Sequence, residues 1–172
     1  MRIYLIGYMG SGKSTMGRGL AKNLGLSFVD MDQYIEKRNF KTIPQIFADS
    51  GEEGFRRLEQ KALIELSDFE NIIIATGGGA PCFFENMKLI KNTGKSIYLK
   101  ATPRILAQRL VDSKVERPLI KGKNFEELTE FIHNTLALRE EWYAQADFIL
   151  EFDTDLTDEE VLVKFHKAFG LS

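Results

Sequence analysis

Apolar residues follow two rhythms along this chain: short unbroken runs, and stretches in which they recur every three or four positions. The largely apolar runs are Met1 to Ile6, Leu26 to Val29, Asn71 to Thr76, Ser96 to Lys100 and Phe148 to Phe152; each predicts a strand, and the first and third read as buried. Between them the longer period predicts helices. The first carries Met16, Leu20 and Leu24 and is stopped by Gly25, and the second carries Tyr34, Ile35 and Arg38. A short helix opens at Thr42 with Pro44 in its first turn, and a longer one starts at Gly51 and runs to about Leu66. Residues 83–92 read as helical, Thr102-Pro103 caps a helix running to about Asp112, a long amphipathic helix covers about 125–144, and a last one starts at Thr157. Residues 113–124 are polar, basic and aperiodic. No internal repeat or low-complexity tract interrupts the pattern.

Strands alternating with helices predict an α/β protein, a five-stranded parallel sheet with helices on both faces. In such sheets ligands sit outside the carboxyl ends of the strands. The segments that follow strands directly are Gly7 to Thr15, Asp30-Met31-Asp32, Gly77-Gly78-Gly79 and Asp153, so one edge of the sheet is expected to gather them. The first of these matches G-x-x-x-x-G-K-[ST] without a mismatch, between a predicted strand and a predicted helix. Its glycines let the backbone bend around a polyphosphate, and the amides of Gly10, Ser11, Gly12, Lys13, Ser14 and Thr15 point at the anion with the helix dipole. Lys13 is placed to bridge the terminal phosphates and Ser14 to ligate Mg²⁺. A bare glycine-rich turn would lack the agreement of strand, spacing and helix. The motif predicts a nucleoside triphosphate site.

The length of 172 residues suits a single domain, and 44% hydrophobic with 28% charged residues is the composition of a folded globular chain. A net charge of −2 offers no global field for nucleic acid or anionic membrane, so any anion must be held locally. The lone Cys82 has no partner for an internal disulfide and reads as a small packed side chain. With no leader-like N-terminus and no membrane-length apolar run, the cytoplasm is the expected location and a monomer the expected form.

A phosphate loop alone does not separate a switch, a motor and a kinase. The third strand ends in glycines rather than the magnesium-binding Asp common in such proteins, so the carboxylate is expected from Asp30 or Asp32. Two helices add charges on core-facing stripes. On the helix from Gly51, Phe55, Leu58, Ala62, Leu63 and Leu66 define an apolar arc that contains Glu59, with Arg56 at its rim and Arg57 pointing away. On the helix from 125, Leu128, Phe131, Ile132, Leu136, Trp142 and Tyr143 surround Arg139. Such charges are either a structural pair, Arg139–Glu59 being the obvious one, or a pocket for a small carboxylate. The segment 113–124 is either a solvated loop or a mobile lid, with Arg117 as the cation for a transferring phosphoryl group.

The residues now assembled resemble the shikimate kinase family over nearly the whole chain. The likeness rests on the phosphate loop, Asp30 and Asp32, Gly51-Glu52-Glu53-Gly54-Phe55-Arg56-Arg57-Leu58-Glu59, the triple glycine, Arg117-Pro118-Leu119 and Arg139. It implies the nucleoside-monophosphate-kinase-like P-loop kinase fold with strand order 2-3-1-4-5, a substrate-binding helical segment at about 32–62 and a lid at about 112–124. It also implies transfer of the ATP γ-phosphate to the 3-hydroxyl of shikimate in aromatic amino-acid biosynthesis. By position, Asp32, Arg56, Gly77, Gly78, Gly79 and Arg139 would hold shikimate, with Glu59 supporting Arg56. Asp32 would act on the reacting hydroxyl, Ser14 and Asp30 would serve Mg²⁺, and Lys13 and Arg117 would neutralise phosphoryl charge. The adenine contacts fall to Arg109, or to Leu110 by spacing from Arg117, and to Asp153. Two rivals remain, another P-loop small-molecule kinase such as a gluconate kinase, and a non-catalytic nucleotide-binding module.

Overall fold

Arg2–Ile6, strand β1, is the middle of the sheet and its side chains divide between two cores. Ile3 and Leu5 enter a cluster with Leu20, Leu106, Leu128 and Phe165, while Tyr4 and Ile6 enter another with Ile35, Leu63, Ile90 and Tyr143. A strand buried on both faces must be apolar at every position, which is why this one reads as an unbroken run. The flanking strands are β2 (Ser27–Asp30), β3 (Ile72–Ala75), β4 (Lys95–Ala101) and β5 (Phe148–Phe152). All pair in parallel in the order β2-β3-β1-β4-β5, the order the family resemblance implies. The computed structural model describes residues 1–152 and 157–169, so Asp153 lies outside the described residues.

The helices are α1 (Lys13–Leu24), α2 (Met31–Asn39), α3 (Ile43–Leu66), α4 (Asn86–Thr93), α5 (Pro103–Asp112), α6 (Phe125–Tyr143) and α7 (Asp158–Phe169). Helix α3 is two helices in one: Gly51 stands at φ 67°, ψ −173°, a conformation essentially reserved for glycine. The chain therefore turns between a short helix and a longer core helix, as the sequence pattern predicts. A capping box of Thr42 and Gln45 opens the first of these. Helix α4 starts later than the expected 83–92, because Ala80–Cys82 form a 3-10 turn and Phe84 has φ 51°. The aperiodic segment after α5 contains one 3-10 turn, Pro118–Ile120, and ends at a second capping box in which Asn124 and Glu127 fix the start of α6. Each such cap is worth about 1 kcal/mol, enough to give the segment a defined far anchor. Among the described residues no helix is long and apolar enough to cross a membrane.

Candidate active site

The loop between β1 and α1 bends where expected, with Gly7, Gly10 and Gly12 at φ 140°, 81° and 93°. Those left-handed values let the following amides turn toward the cleft, at a helix N-terminus that attracts anions. Lys13 is buried at the loop's centre, where its ammonium donates to the carbonyls of Gly7 at 2.7 Å and Tyr8 at 2.8 Å. Burial, and then the charge of Arg117, pull its pKa down to about 7 against the opposing pull of Asp32 and Asp30. An arriving polyphosphate would reverse that shift.

Strand β2 passes into α2 without a loop. Asp30 is at once the last strand residue and the N-cap of α2, accepting from the Gln33 amide at 3.2 Å, and the Ser14 hydroxyl donates to its other oxygen. Asp32 falls in the first turn of α2 rather than in a connecting loop. Its Oδ1 is buried without a partner among the described residues, and burial first, then the Asp30 charge, raise its pKa above the ordinary carboxylate range. Serine hydroxyl and carboxylate oxygen in contact make a donor pair suited to a hard oxygen-seeking cation that keeps most of its ligands as water and phosphate. Among the described residues no cluster of three metal-ligating side chains exists, so any Mg²⁺ would rely on these two groups and on the nucleotide.

Two clefts meet here. One, of about 400 Å³, runs from the phosphate loop past Arg109 and Leu110 to Phe152. The other, of about 460 Å³, opens toward α2, the short helix before Gly51, Arg56, Glu59 and Arg139. They share Met9, Ser14, Asp30, Asp32, Gly77, Gly78 and Arg117, so the carboxylate pair and the arginine of the segment after α5 lie at the junction. Arg117 Nε is buried there without a partner among the described residues.

The far end of the second cleft corrects one expectation. Glu59 does not pair with Arg139; in the arrangement the family resemblance implies, it accepts from Arg56 Nη1 at 2.9 Å, and Glu52 accepts from Arg56 Nη2 at 3.3 Å. Arg56 is not at a rim either, being only 4% exposed. The reason is spacing on one helix, since positions three and four apart face each other whereas α6 lies across the cleft. Burial raises the Glu59 pKa above the carboxylate range, with Arg56 opposing. Arg139 has no carboxylate partner among the described residues; its guanidinium lies 5.4 Å from the Tyr8 ring centroid and its Nη1 is buried and unpaired. Arg57, as expected, points outward and pairs with Glu53 at 2.9 Å.

The glycines between β3 and the 3-10 turn are required by contact. A Cβ on Gly77 would stand 2.3 Å from Glu59 Oε2 and 3.3 Å from Asp32 Oδ1, and one on Gly78 would stand 3.0 Å from the Met9 amide. Tyr143 is a site residue the sequence reading placed only in the core. Its hydroxyl donates to the Gly78 carbonyl, its ring packs 5.0 Å from Tyr98, and it lies beside Arg139. Burial lifts its phenol pKa well above the usual value, so it stays a donor. Its position four residues after Arg139 on the same helix face is the signal that could have marked it. Of the two adenine candidates, Leu110 is buried against Gly10, whereas Arg109 donates to the Gly10 carbonyl at 3.3 Å and lies 5.4 Å from the Phe152 ring centroid. Cys82 is partly buried with its thiol pKa raised to about 11, an unreactive group.

A phosphate loop and two adjoining clefts at the carboxyl edge of a parallel sheet make this a P-loop kinase in fold. Comparison with known proteins narrows the class. A model described as shikimate kinase matches residues 9–169. A shikimate kinase of Parabacteroides distasonis is 47% identical over 160 residues, covering 93% of this chain and 92% of the relative. The crystal structure of shikimate kinase from Bacteroides thetaiotaomicron superimposes with a TM-score of 0.93 at 41% identity, covering 99% of both chains. That of shikimate kinase from Acinetobacter baumannii in complex with shikimate gives 0.89 at 34% identity, covering 98% of this chain and 93% of the other. The chain belongs to the shikimate kinase family, and its activity is that of an ATP-dependent phosphotransferase.

Proposed function

We propose that this protein transfers the γ-phosphoryl group of ATP to the 3-hydroxyl of shikimate by a division of labour between the two clefts. The observation that carries the reading is their junction, where an unpartnered Asp32 oxygen and an unpartnered Arg117 nitrogen are buried beside the phosphate loop. ATP lies along Gly10 to Thr15, with Arg109 flanking the adenine. Lys13 exchanges its two carbonyl acceptors for phosphate oxygens. Ser14 and Asp30, whose side chains touch, would hold Mg²⁺, which would supply positive charge to the phosphate oxygens. Shikimate lies in the second cleft with its carboxylate toward Arg56 and Arg139 and its ring against Gly77, Gly78 and Gly79. Asp32 accepts a hydrogen bond from the 3-hydroxyl and takes its proton as that oxygen bonds to the γ-phosphorus and the bond to the leaving ADP oxygen breaks. Arg117, carried by a lid at about 112–124 that closes over both clefts, meets the charge that develops. All residues assigned here lie on one chain, so a monomer suffices.

ADP release measured with shikimate, quinate, gluconate and nucleoside monophosphates tests the acceptor. Shikimate is expected to be used best; preference for gluconate or a nucleotide would overturn the assignment.

A second prediction concerns Arg139. It is buried, has no carboxylate partner among the described residues and continues an apolar stripe. Arg139→Leu removes a desolvated charge, so the empty protein is expected to melt no lower and to gain up to about 1–4 kcal/mol. Shikimate affinity should fall by about 2–5 kcal/mol, because a charged hydrogen-bonding partner is lost. Thermal melts with and without shikimate read both halves. A variant that melts far lower yet binds shikimate normally would make Arg139 a structural residue.

A further inference from the structure

The guanidinium of Arg56 is held by more than its carboxylates. Its Cζ lies 4.2 Å from the ring centroid of Phe83, closer than the 5.4 Å to its own neighbour Phe55. A Cβ on Gly79 would stand 2.5, 2.6 and 2.7 Å from Nη1, Nη2 and Cζ, so Gly79 lies over the guanidinium plane. Gly79 and Phe83 are joined by the 3-10 turn, in which the Cys82 amide donates to the Gly79 carbonyl at 2.9 Å. The Asn86 side chain anchors that turn by donating to the Ala80 carbonyl at 2.8 Å. One tight turn thus wraps Arg56 with a glycine backbone and an aromatic ring, while Glu59 and Glu52 take its Nη atoms and Nε is left buried without a partner.

We propose that Phe83 is a positioning residue for substrate recognition: its ring, stacked against Arg56, fixes the orientation in which that guanidinium meets the carboxylate of the acceptor. Phe83 lines neither cleft, so its effect passes through Arg56. The physical need follows from burial. A cation this deep, with one donor unsatisfied, is stabilised by the negative face of an aromatic ring, and an aliphatic side chain of similar bulk offers no such field. The proposal rests on the reading that Arg56 receives the shikimate carboxylate.

The test is steady-state kinetics of Phe83→Leu, Phe83→Met, Phe83→Tyr and Arg56→Lys, with a thermal melt of each. Phe83→Leu and Phe83→Met are expected to raise the KM for shikimate by about 2- to 30-fold, with kcat and the KM for ATP little changed. Phe83→Tyr keeps the aromatic face and is expected to retain a KM near that of the parent. In the Arg56→Lys background, Phe83→Leu should add little. An unchanged shikimate KM in both aliphatic variants, with Arg56→Lys raising it, would reduce Phe83 to packing and overturn the proposal. Equal loss of kcat and of both KM values would do the same. If Arg56→Lys itself left the shikimate KM unchanged, the carboxylate assignment would fall first and the role of Phe83 with it.

Discussion

Replacing Asp32 with Asn is expected to lower kcat by about 10²–10⁴-fold, the range lost when a positioned base is removed, while shikimate binding survives in part. Asparagine keeps the size of the side chain and most of its hydrogen bonding, and gives up its basicity and charge. The environment sharpens the expectation. Burial and the neighbouring Asp30 charge raise the Asp32 pKa, so the acid limb of kcat/KM should lie above the ordinary carboxylate range, and the variant should lose it. The sign for stability is opposite. A carboxyl whose folded pKa is raised contributes stability below its unfolded pKa and loses it as pH rises through the folded one. At neutral pH the empty Asp32→Asn protein should therefore melt no lower than the parent, so a collapse in turnover would not be a collapse of the fold. Rapid-quench kinetics and thermal melts at several pH values check both halves. Asp30→Asn should instead raise the Mg²⁺ concentration needed for half-maximal rate, because its contact is with Ser14 at the proposed metal position. Rescue of the position-32 variant by excess Mg²⁺, and not of the position-30 one, would reverse the two roles.

Arg117→Ala is expected to reduce kcat by about 10³-fold with the nucleotide dissociation constant changed only a few-fold. An interaction made only as charge develops lowers the barrier without tightening the ground state. Arg117 fits that description, since it stands where the clefts meet, close enough for its charge to depress the Lys13 pKa, and keeps a buried Nε without a partner. Single-turnover rates set beside nucleotide titrations separate the two quantities. Equal losses in both would make Arg117 an ordinary contact to bound ATP. Lys13 serves as an internal comparison, because a loop lysine touches phosphate before and during transfer and its loss should weaken both.

The parts of this protein legible in its sequence are those in which neighbours along the chain do the work. A strand buried on both faces must be apolar throughout, so β1, β3 and β4 could be read directly, and the phosphate loop needs only local glycines, a lysine and a serine in register. Gly51 marks the break in α3 for the same local reason, and the capping residue Thr102 marks the start of α5. Periodicity also placed Glu59 and Arg139 on inward faces, with Arg56 at the edge of one. What it left open was who faces whom, because a stripe on one helix carries no information about what is packed opposite. Tertiary packing decided that Glu59 serves Arg56 and leaves Arg139 without a carboxylate, and that the Tyr143 hydroxyl reaches Gly78 from 65 residues away. It decided as well that a 3-10 turn sets Phe83 against Arg56. The sequence by itself determined the elements and their chemistry, since both follow from short-range sterics and burial. The pairing of buried charges was decided only by the fold, since each charge takes whichever partner the packed helices and turns bring within reach of it.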